Sequence, residues 1–445
     1  MKHLSLVIFL FSACGPTGTG GGNSGGNSGG SGGSSGSAGN GTGGGGGGGG
    51  HVSCPQNNSC PGGATVTGKV YAPNGTDPIA GASVYVPTGN NEFPPGVSCD
   101  VCSTGSFQSC TQVFSGTDGS FTLTGVPAGM TEIDIQKGRF RRRLQLNVPC
   151  GSLALTAEQS RLPKNSTEGD IPKIAVANGE WDKLECVLRK IGLDASAIDI
   201  FNHSDTYNEN GKPDFSTLVQ NFDMLKAYNI VFINCSDNTL ETYLSNATVL
   251  GNLKNYVGMG GRLYITDWSY DHIEQVPDWS SLVCWQPTGT CGGGAEPMHQ
   301  AALGKDGIEV DATIEDMGMK EWLQQLGATN PDGTVHITHF LIDWVMQKSN
   351  VQPMVKEWVR GSVQSQDGSI NSDLPLTFTF DYNTCGRVLY SSYHTLGRDL
   401  DTCGGLFGQS NCHFPDYCDS NPLSPQERIL EYLIFEISTC VNPPG

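Results

Sequence analysis

The chain has 445 residues, 44 of them acidic against 25 lysines and arginines, and a formal net charge of −19. That balance repels phosphate backbones and anionic lipid, so no nucleic acid and no directly bound lipid surface is expected as a partner. Sixteen cysteines, most of them near Gly, Asn, Asp or Pro, point to an oxidising compartment, and the length suffices for two or three domains.

Leu4 to Phe11 is an apolar run too short to span a bilayer and fits the core of a secretory signal. Ser12-Ala13-Cys14 resembles a bacterial lipoprotein signal, with Phe11 where that signal usually has Leu. The resemblance implies a signal peptide over 1–14 and a membrane anchor through acylated Cys14; an ordinary cleaved signal is the other reading. Residues 15–50 are almost entirely Gly, Ser, Asn and Thr. With no apolar side chains to offset the entropy of ordering, they read as a disordered tether. Its span would average about 33 Å and reach ~120 Å at most. An anchored tether implies display at a bacterial cell envelope, on the outer membrane, or secretion.

Residues 51–150 read as an antiparallel β-sandwich. Strands are expected over 65–71, 82–87, 119–123, 131–135 and 144–148, where alternating apolar residues are separated by Gly, Pro and Asn turns. Gly68-x-Val70, Pro78-Ile79-x-Gly81-Ala82-x-Val84 and Thr117-Asp118-Gly119-Ser120-Phe121-x-Leu123-x-x-Val126-Pro127-x-Gly129 resemble the carboxypeptidase regulatory-like domain, a transthyretin-like sandwich of the carbohydrate-binding-like fold. The resemblance implies a non-catalytic accessory module. An insertion at about 88–115, with three cysteines, departs from it. Arg139, Arg141, Arg142 and Arg143 form the one basic cluster. Either they bind phosphate or uronate groups of a polysaccharide, with Arg141 and Arg143 as ligand candidates, or they are a solvated strand edge.

With Cys14 set aside an odd number of cysteines remains, so one thiol is free or pairs between molecules. Cys186 and Cys235, in apolar periodic segments, are the candidates. Cys99 and Cys102 have the spacing of a redox or zinc half-site, but only Cys110 is near, so disulfides within that loop are expected. Cys54 with Cys60, Cys284 with Cys291, and a pair from Cys403, Cys412 and Cys418 look like local staples.

From about 165 to 445 strands alternate with helices. Strands are expected at 173–177, 229–234, 262–266 and 387–391, helices at 181–191 and 247–257, and a last helix opened by the capping box Ser424-Pro425-Gln426-Glu427. The fold class is therefore multidomain: an antiparallel β-sandwich plus an α/β doubly wound parallel sheet. Lys254-Asn255-Tyr256-Val257-x-x-Gly260-Gly261-Arg262-Leu263 and Gly386 to Thr395 resemble the class I glutamine amidotransferase-like fold, especially its trehalose-utilisation branch. The middle, about 275–380, is unassigned.

The resemblance implies a Cys nucleophile in a Gly-flanked turn after the third strand and a later His-Pro-Glu. Here the turn reads Thr266-Asp267-Trp268-Ser269-Tyr270-Asp271-His272, and His394 is followed by Thr395-Leu396. Two triad members are missing, so glutaminase chemistry is not expected. A serine hydrolase using Ser269 and His394, with Asp267 orienting the base, is the alternative; Trp268 and Tyr270 crowd that turn. Asp267, His272, His299, His336, His339 and His394 have metal-ligand chemistry, but structural histidines are commoner and His336-Ile337-Thr338-His339 reads as a strand; no metal and no cofactor are expected. Trp322, Trp344 and Trp358 read as core. Trp268, Trp279 and Trp285 follow the third strand, where doubly wound folds bind ligands, and are open between core and sugar platform.

The expected function is a non-catalytic envelope lipoprotein that binds or builds, with an envelope glycan or polysaccharide as partner. The hydrolase at the strand-end pocket is the rival.

Overall fold

Period-two alternation builds seven strands into two facing sheets. They are β1 (Ala64–Lys69), β2 (Ser83–Pro87), β3 (Ser109–Phe114), β4 (Ser120–Val126), β5 (Gly129–Lys137), β6 (Phe140–Val148) and β7 (Ser152–Ala154). One sheet runs β4-β1-β7 and the other β3-β2-β5-β6. In β4 Phe121, Leu123 and Val126 are buried while Ser120, Thr122 and Thr124 face solvent. This computed structural model describes residues 54, 60–89, 91–100, 108–204, 208–236, 238–285, 294–350, 352–395 and 413–439. Cys14, the tether and Cys102, Cys291, Cys403 and Cys412 lie outside them.

Gly119 turns the chain into β4 at φ +78°, and a Cβ there would stand 2.6 Å from the Val70 carbonyl oxygen that the turn packs against. β3 lies within the insertion, so that segment completes a sheet and is more than a loop.

The second half is laid on a nine-stranded mixed sheet. Its first strands are β8 (Ile174–Ala177), β9 (Ile198–Phe201), β10 (Ile230–Ile233) and β11 (Arg262–Thr266). The stretch left unassigned in the sequence supplies β12 (Val283–Cys284), β13 (Ala302–Leu303), β14 (Val310–Ile314), β15 (Val335–Ile337), β16 (Val345–Met346), β17 (Ser349–Asn350), β18 (Val355–Gln364) and β19 (Ile370–Tyr382), before β20 (Gly386–Ser391). The large sheet is ordered β15-β14-β18-β19-β20-β11-β10-β8-β9. From β20 to β9 all pairings are parallel; from β20 to β15 all are antiparallel. The expected parallel sheet is thus only the second half of a mixed one. Short antiparallel pairs β12-β17 and β13-β16 sit apart from it.

Within the parallel part the spatial order is 2-1-3-4-5, so the strand order reverses between β8 and β10. Doubly wound sheets place ligand crevices at the carboxyl ends of strands around that reversal. The helix Pro425–Ile437 opens on the expected capping box: Ser424 Oγ accepts from Glu427 N–H and the Glu427 carboxylate accepts from Ser424 N–H. It buries Ile429, Leu430, Leu433, Ile434 and Ile437.

Sandwich and α/β sheet share one continuous apolar core. Phe140 of β6 meets Phe435 edge-on at 5.4 Å, Trp322 Nε1–H donates to the Pro78 carbonyl at 2.6 Å, and Arg428 pairs with Asp77 at 2.5 Å. The insertion also crosses to the α/β half. The Gly96 carbonyl accepts from Asn229, and Ser98 passes so close to Gly260 (φ +111°) that a Cβ would lie 1.9 Å from its carbonyl oxygen.

Four disulfides differ from the expected local staples, while the expected Cys284–Cys291 pair involves Cys291, outside the described residues. Cys54 joins Cys110 and Cys60 joins Cys150, tying the sandwich's start to its own strands. Cys99 joins Cys385 across both halves, not a neighbour in its loop. Cys186, a candidate free thiol, is bonded to Cys418, which removes Cys418 from a pair with Cys403 or Cys412. Cys284 is disulfide-bonded too. Cys235 is the free, buried thiol among the described residues. Spacing misleads here because folding brings together cysteines up to 286 residues apart.

Candidate functional site

Four parallel strands end in the same layer and deliver polar side chains into it: Glu180 and Asp182 after β8, Asn234, Cys235 and Ser236 after β10, Asp267 after β11, and His394 after β20. All are buried. Burying so many polar groups costs free energy unless they are mutually satisfied, which marks this layer as the functional candidate. Glu180 is satisfied by both sides of the strand reversal, accepting from Ser204 at 2.5 Å and Ser236 at 2.8 Å.

At the centre stands Asp267, the first residue of the turn after β11 and held at φ +43°, an unusual backbone for a non-glycine residue. Its Oδ1 accepts from Val345 N–H at 2.6 Å. Its Oδ2 accepts from Cys235 Sγ at 3.3 Å and lies 3.2 Å from His394 Nε2. His394 Nδ1 lies 3.0 Å from the His339 carbonyl oxygen. Burial pushes the Cys235 thiol well up, and the neighbouring Asp267 charge pushes further. Burial works against charge on His394, but the adjacent Asp267 carboxylate outweighs it and raises that pKa.

The order of these groups decides what they can do. In a nucleophilic triad the imidazole stands between nucleophile and acid. Here the carboxylate stands between thiol and imidazole, and the far imidazole nitrogen faces a backbone carbonyl. Cys235 therefore has no imidazole base beside it, and burial disfavours its thiolate.

A second buried cluster adjoins it. Tyr243 Oη bridges His203 Nε2 at 3.0 Å and His272 Nε2 at 2.8 Å. His272 Nδ1 lies 2.9 Å from the Ser269 carbonyl oxygen and 3.4 Å from Glu241 Oε1. A carbonyl only accepts, so His272 carries its proton on Nδ1 and takes the Tyr243 hydroxyl proton at Nε2. Tyr243 then accepts from His203 Nε2–H. Burial lowers the pKa of His203 to about 4. Burial, with repulsion from His203, lowers His272 to about 3. Burial and the Asp271 charge raise Glu241. This is a chain of neutral hydrogen bonds. At its rim Asp271 Oδ2 meets His299 Nδ1 at 3.1 Å, and burial followed by Asp271 repulsion raises Glu274 to about 8.

Of the residues expected to be functional, Asp267 and His394 meet. Ser269 does not join them: its hydroxyl donates to the Asn234 carbonyl at 3.0 Å. Trp279 and Trp285, 0% and 2% exposed, are core, packed against Phe380 and against Tyr390 and Phe378 respectively, so neither offers a face to sugar. Trp268 is half-buried beside His299, their ring centroids 6.4 Å apart. Arg141, 1% exposed, is bound to Asp170 and lies 4.5 Å from the Phe93 ring centroid. Arg143 pairs with Asp170 at 3.0 Å, Arg142 with Glu158 at 3.7 Å and Arg139 with Asp100 at 3.3 Å. The cluster is thus split: Arg139 and Arg141 are buried and paired, while Arg143 is exposed on the edge strand β6, and each arginine has a carboxylate partner. His336 sits exposed on β15 between Glu309 and Asp311. His339, at φ +62°, receives a hydrogen bond at Nδ1 from Gln426. Asp182, His203, Glu241 and Tyr243 have no local sequence signature and become visible only once the strand ends converge.

Away from the strand ends, a polar cleft of about 570 Å³ separates the Asn74–Asp77 turn of the sandwich from the Asp419–Leu423 segment. Arg189, Lys190 and Arg428 line it.

No family model and no curated protein matches the chain. Among solved structures it is similar to a cytoplasmic protein of Salmonella typhimurium, at 15% identity over 59% of this chain and 98% of that one, with a TM-score of 0.31. A ThuA-like protein from Parabacteroides merdae is similar at 13% identity over 57% and 97%, also with a TM-score of 0.31. A chain of a type II cohesin–X-dockerin complex from Acetivibrio cellulolyticus is similar at 17% identity over 29% and 72%, with a TM-score of 0.16. Likenesses at these scores carry no argument, and the fold class rests on the strand order itself.

Proposed function

We propose that this is a non-catalytic lipoprotein of the bacterial envelope, anchored through Cys14 and displayed on the tether 15–50. In this reading a carboxypeptidase regulatory-like sandwich over 51–150 and a degenerate amidotransferase-like α/β domain over 165–445 bind an envelope glycan or build envelope structure. The observation that supports it is the order thiol, carboxylate, imidazole at the strand ends: Asp267 stands at the turn where an amidotransferase would present its nucleophile, and His394 is spent on it. The disulfides agree with an oxidising compartment, and no helix among the described residues is long and apolar enough to cross a membrane. Half-buried Trp268 beside His299 and Asp271 supplies an aromatic face flanked by polar groups, the composition that suits a sugar ring.

The test takes the full, disulfide-intact chain through an esterase, amidase and glycosidase panel and a glycan array, beside Ser269→Ala, His394→Ala and Trp268→Ala. The expected outcome is no turnover, with glycan retention weakened in Trp268→Ala. Turnover abolished in both Ser269→Ala and His394→Ala would establish the hydrolase instead.

A further inference from the structure

Cys235, Asp267 and His394 converge in one buried group; once the thiol proton that Cys235 shares with Asp267 Oδ2 leaves, the unshared pairs of sulfur, oxygen and nitrogen face one another. His394 Nδ1 lies 3.0 Å from a carbonyl oxygen, that of His339, which can only accept. Nδ1 therefore carries a proton, and Nε2, which points inward at Asp267 Oδ2, offers its lone pair to a cation that displaces any proton there. This is the arrangement by which a backbone carbonyl orients a metal-ligating histidine. His394 Nε2 is buried and makes no hydrogen bond, although Asp267 Oδ2 is 3.2 Å away.

The distances suit a small cation. In a tetrahedral zinc site with ordinary bond lengths the N···O edge is about 3.3 Å and the S···O edge about 3.5 Å. Here they are 3.2 Å and 3.3 Å, and all three ligand atoms lie within 4.8 Å of one another. Each ligand is also braced from behind. Val345 N–H holds Asp267 Oδ1, and Cys235 N–H donates to Thr266 Oγ1 at 2.8 Å.

A further buried carboxylate is tied to the neighbours of two of these ligands. Asp182 Oδ1 accepts from Thr395 N–H, next to His394, while the Asp182 carbonyl accepts from Asn234, next to Cys235. Its other oxygen, Oδ2, is buried with no hydrogen-bond partner. The Asp182 charge acts on both Cys235 and His394.

We propose that Cys235, Asp267 and His394 bind one zinc ion at the carboxyl ends of the parallel strands. One thiolate, one imidazole and one carboxylate match zinc better than magnesium or calcium, which take oxygen alone. It also explains why one cysteine stays reduced when the other described cysteines are all disulfide-bonded. The sequence alone led to no expected metal, because Cys235 carries no motif that joins it to Asp267 and His394. The proposal goes beyond the binding role and does not depend on it.

The test uses the full chain without an affinity tag, loaded with Zn²⁺, dialysed and assayed by elemental mass spectrometry, and in parallel loaded with Co²⁺ for absorption spectroscopy. One zinc per chain and a near-ultraviolet thiolate-to-cobalt band are expected. Cys235→Ser should lose that band. His394→Gln should weaken zinc binding at least ~10-fold, whereas His272→Gln, in the neighbouring cluster, should leave both signals intact. Natively folded wild-type protein that retains no zinc, or a cobalt complex without a thiolate band, would overturn the proposal. So would zinc lost in His272→Gln but kept in Cys235→Ser. The cobalt spectrum of the wild type decides even if a variant fails to fold.

Discussion

The sandwich and the strand ends of the α/β sheet bury opposite kinds of matter. In the sandwich, Val66, Leu123, Val126 and Ile133 exclude water with hydrocarbon, and the charges of its strands lie at the rim or are paired. At the strand ends Asp182, Cys235, Glu241, Asp267, His272 and His394 are buried together. Hydrocarbon burial stabilises in proportion to area and tolerates small errors. Buried charge destabilises unless each group meets its partner, so the second region carries at many residues a cost that the first incurs only around Asp134 and Arg141. A chain selected for stability alone would fill both regions in the same way. The difference locates function at the strand ends.

The largest expected effect tests whether the two regions are one cooperative body. The Cys99–Cys385 bond closes a loop of 286 residues between the sandwich insertion and the β19–β20 turn. Replacing both cysteines with alanine should cost about 4 kcal/mol. Calorimetry should still record one transition at a lower temperature, because Phe140, Phe435, Trp322 and Pro78 keep the core continuous. Two separate transitions would mean that the disulfide alone joins the halves.

A smaller effect sharpens the contrast through pH. His203 and His272 are neutral when folded, with values near 4 and 3, against 6.5 in a solvated chain. Between those values the unfolded chain binds more protons, so stability rises with pH and is lost as pH falls from about 6.5 toward 4. Denaturant unfolding of wild type and of the double variant His203→Gln, His272→Gln should show the acid slope flattened in the variant. Identical slopes would mean that the neutral relay is not formed.

How much of this is legible in the sequence follows from how local each cause is. Alternation in β1 and β4, the positive φ at Gly81 and Gly119, and the Ser424 capping box are each set by residues within one turn or strand, and they read directly. The antiparallel extension is obscured by its own irregularities. Pro375 interrupts β19 and Asp373 sits at φ +55°, while the β18–β19 register shifts three times, so no run there alternates cleanly. Asp267 and His394 are found because a resemblance points to the turn after β11 and the end of β20. Asp182 is found only in three dimensions, since the Thr395 that fixes its carboxylate is 213 residues away. The arginines of β6 look free for the same reason: their partners Asp100, Glu158 and Asp170 come from loops whose docking has no periodicity.

The smallest effect belongs to a charge pair of the sandwich surface. Lys69 and Asp118 meet at 3.1 Å with both side chains nearly half exposed. Asp118 also accepts from Ser120 N–H at 3.0 Å and from its hydroxyl at 2.6 Å. Those Ser120 hydrogen bonds, and then Lys69, hold its pKa down at about 2. Asn at this position keeps the acceptor for Ser120 and loses only the ion pair, which at such exposure is worth less than ~1 kcal/mol. Asp118→Asn should therefore shift the urea midpoint barely, and less still in high salt. The same exchange at Asp267 removes a charge from a site that no solvent screens, beside a thiol and an imidazole that both depend on it. A shift there several times larger than at position 118 is expected from the same denaturation curves. Equal shifts would mean that the buried carboxylate is as replaceable as the exposed one, and the contrast between the two regions would then be one of composition without consequence for stability.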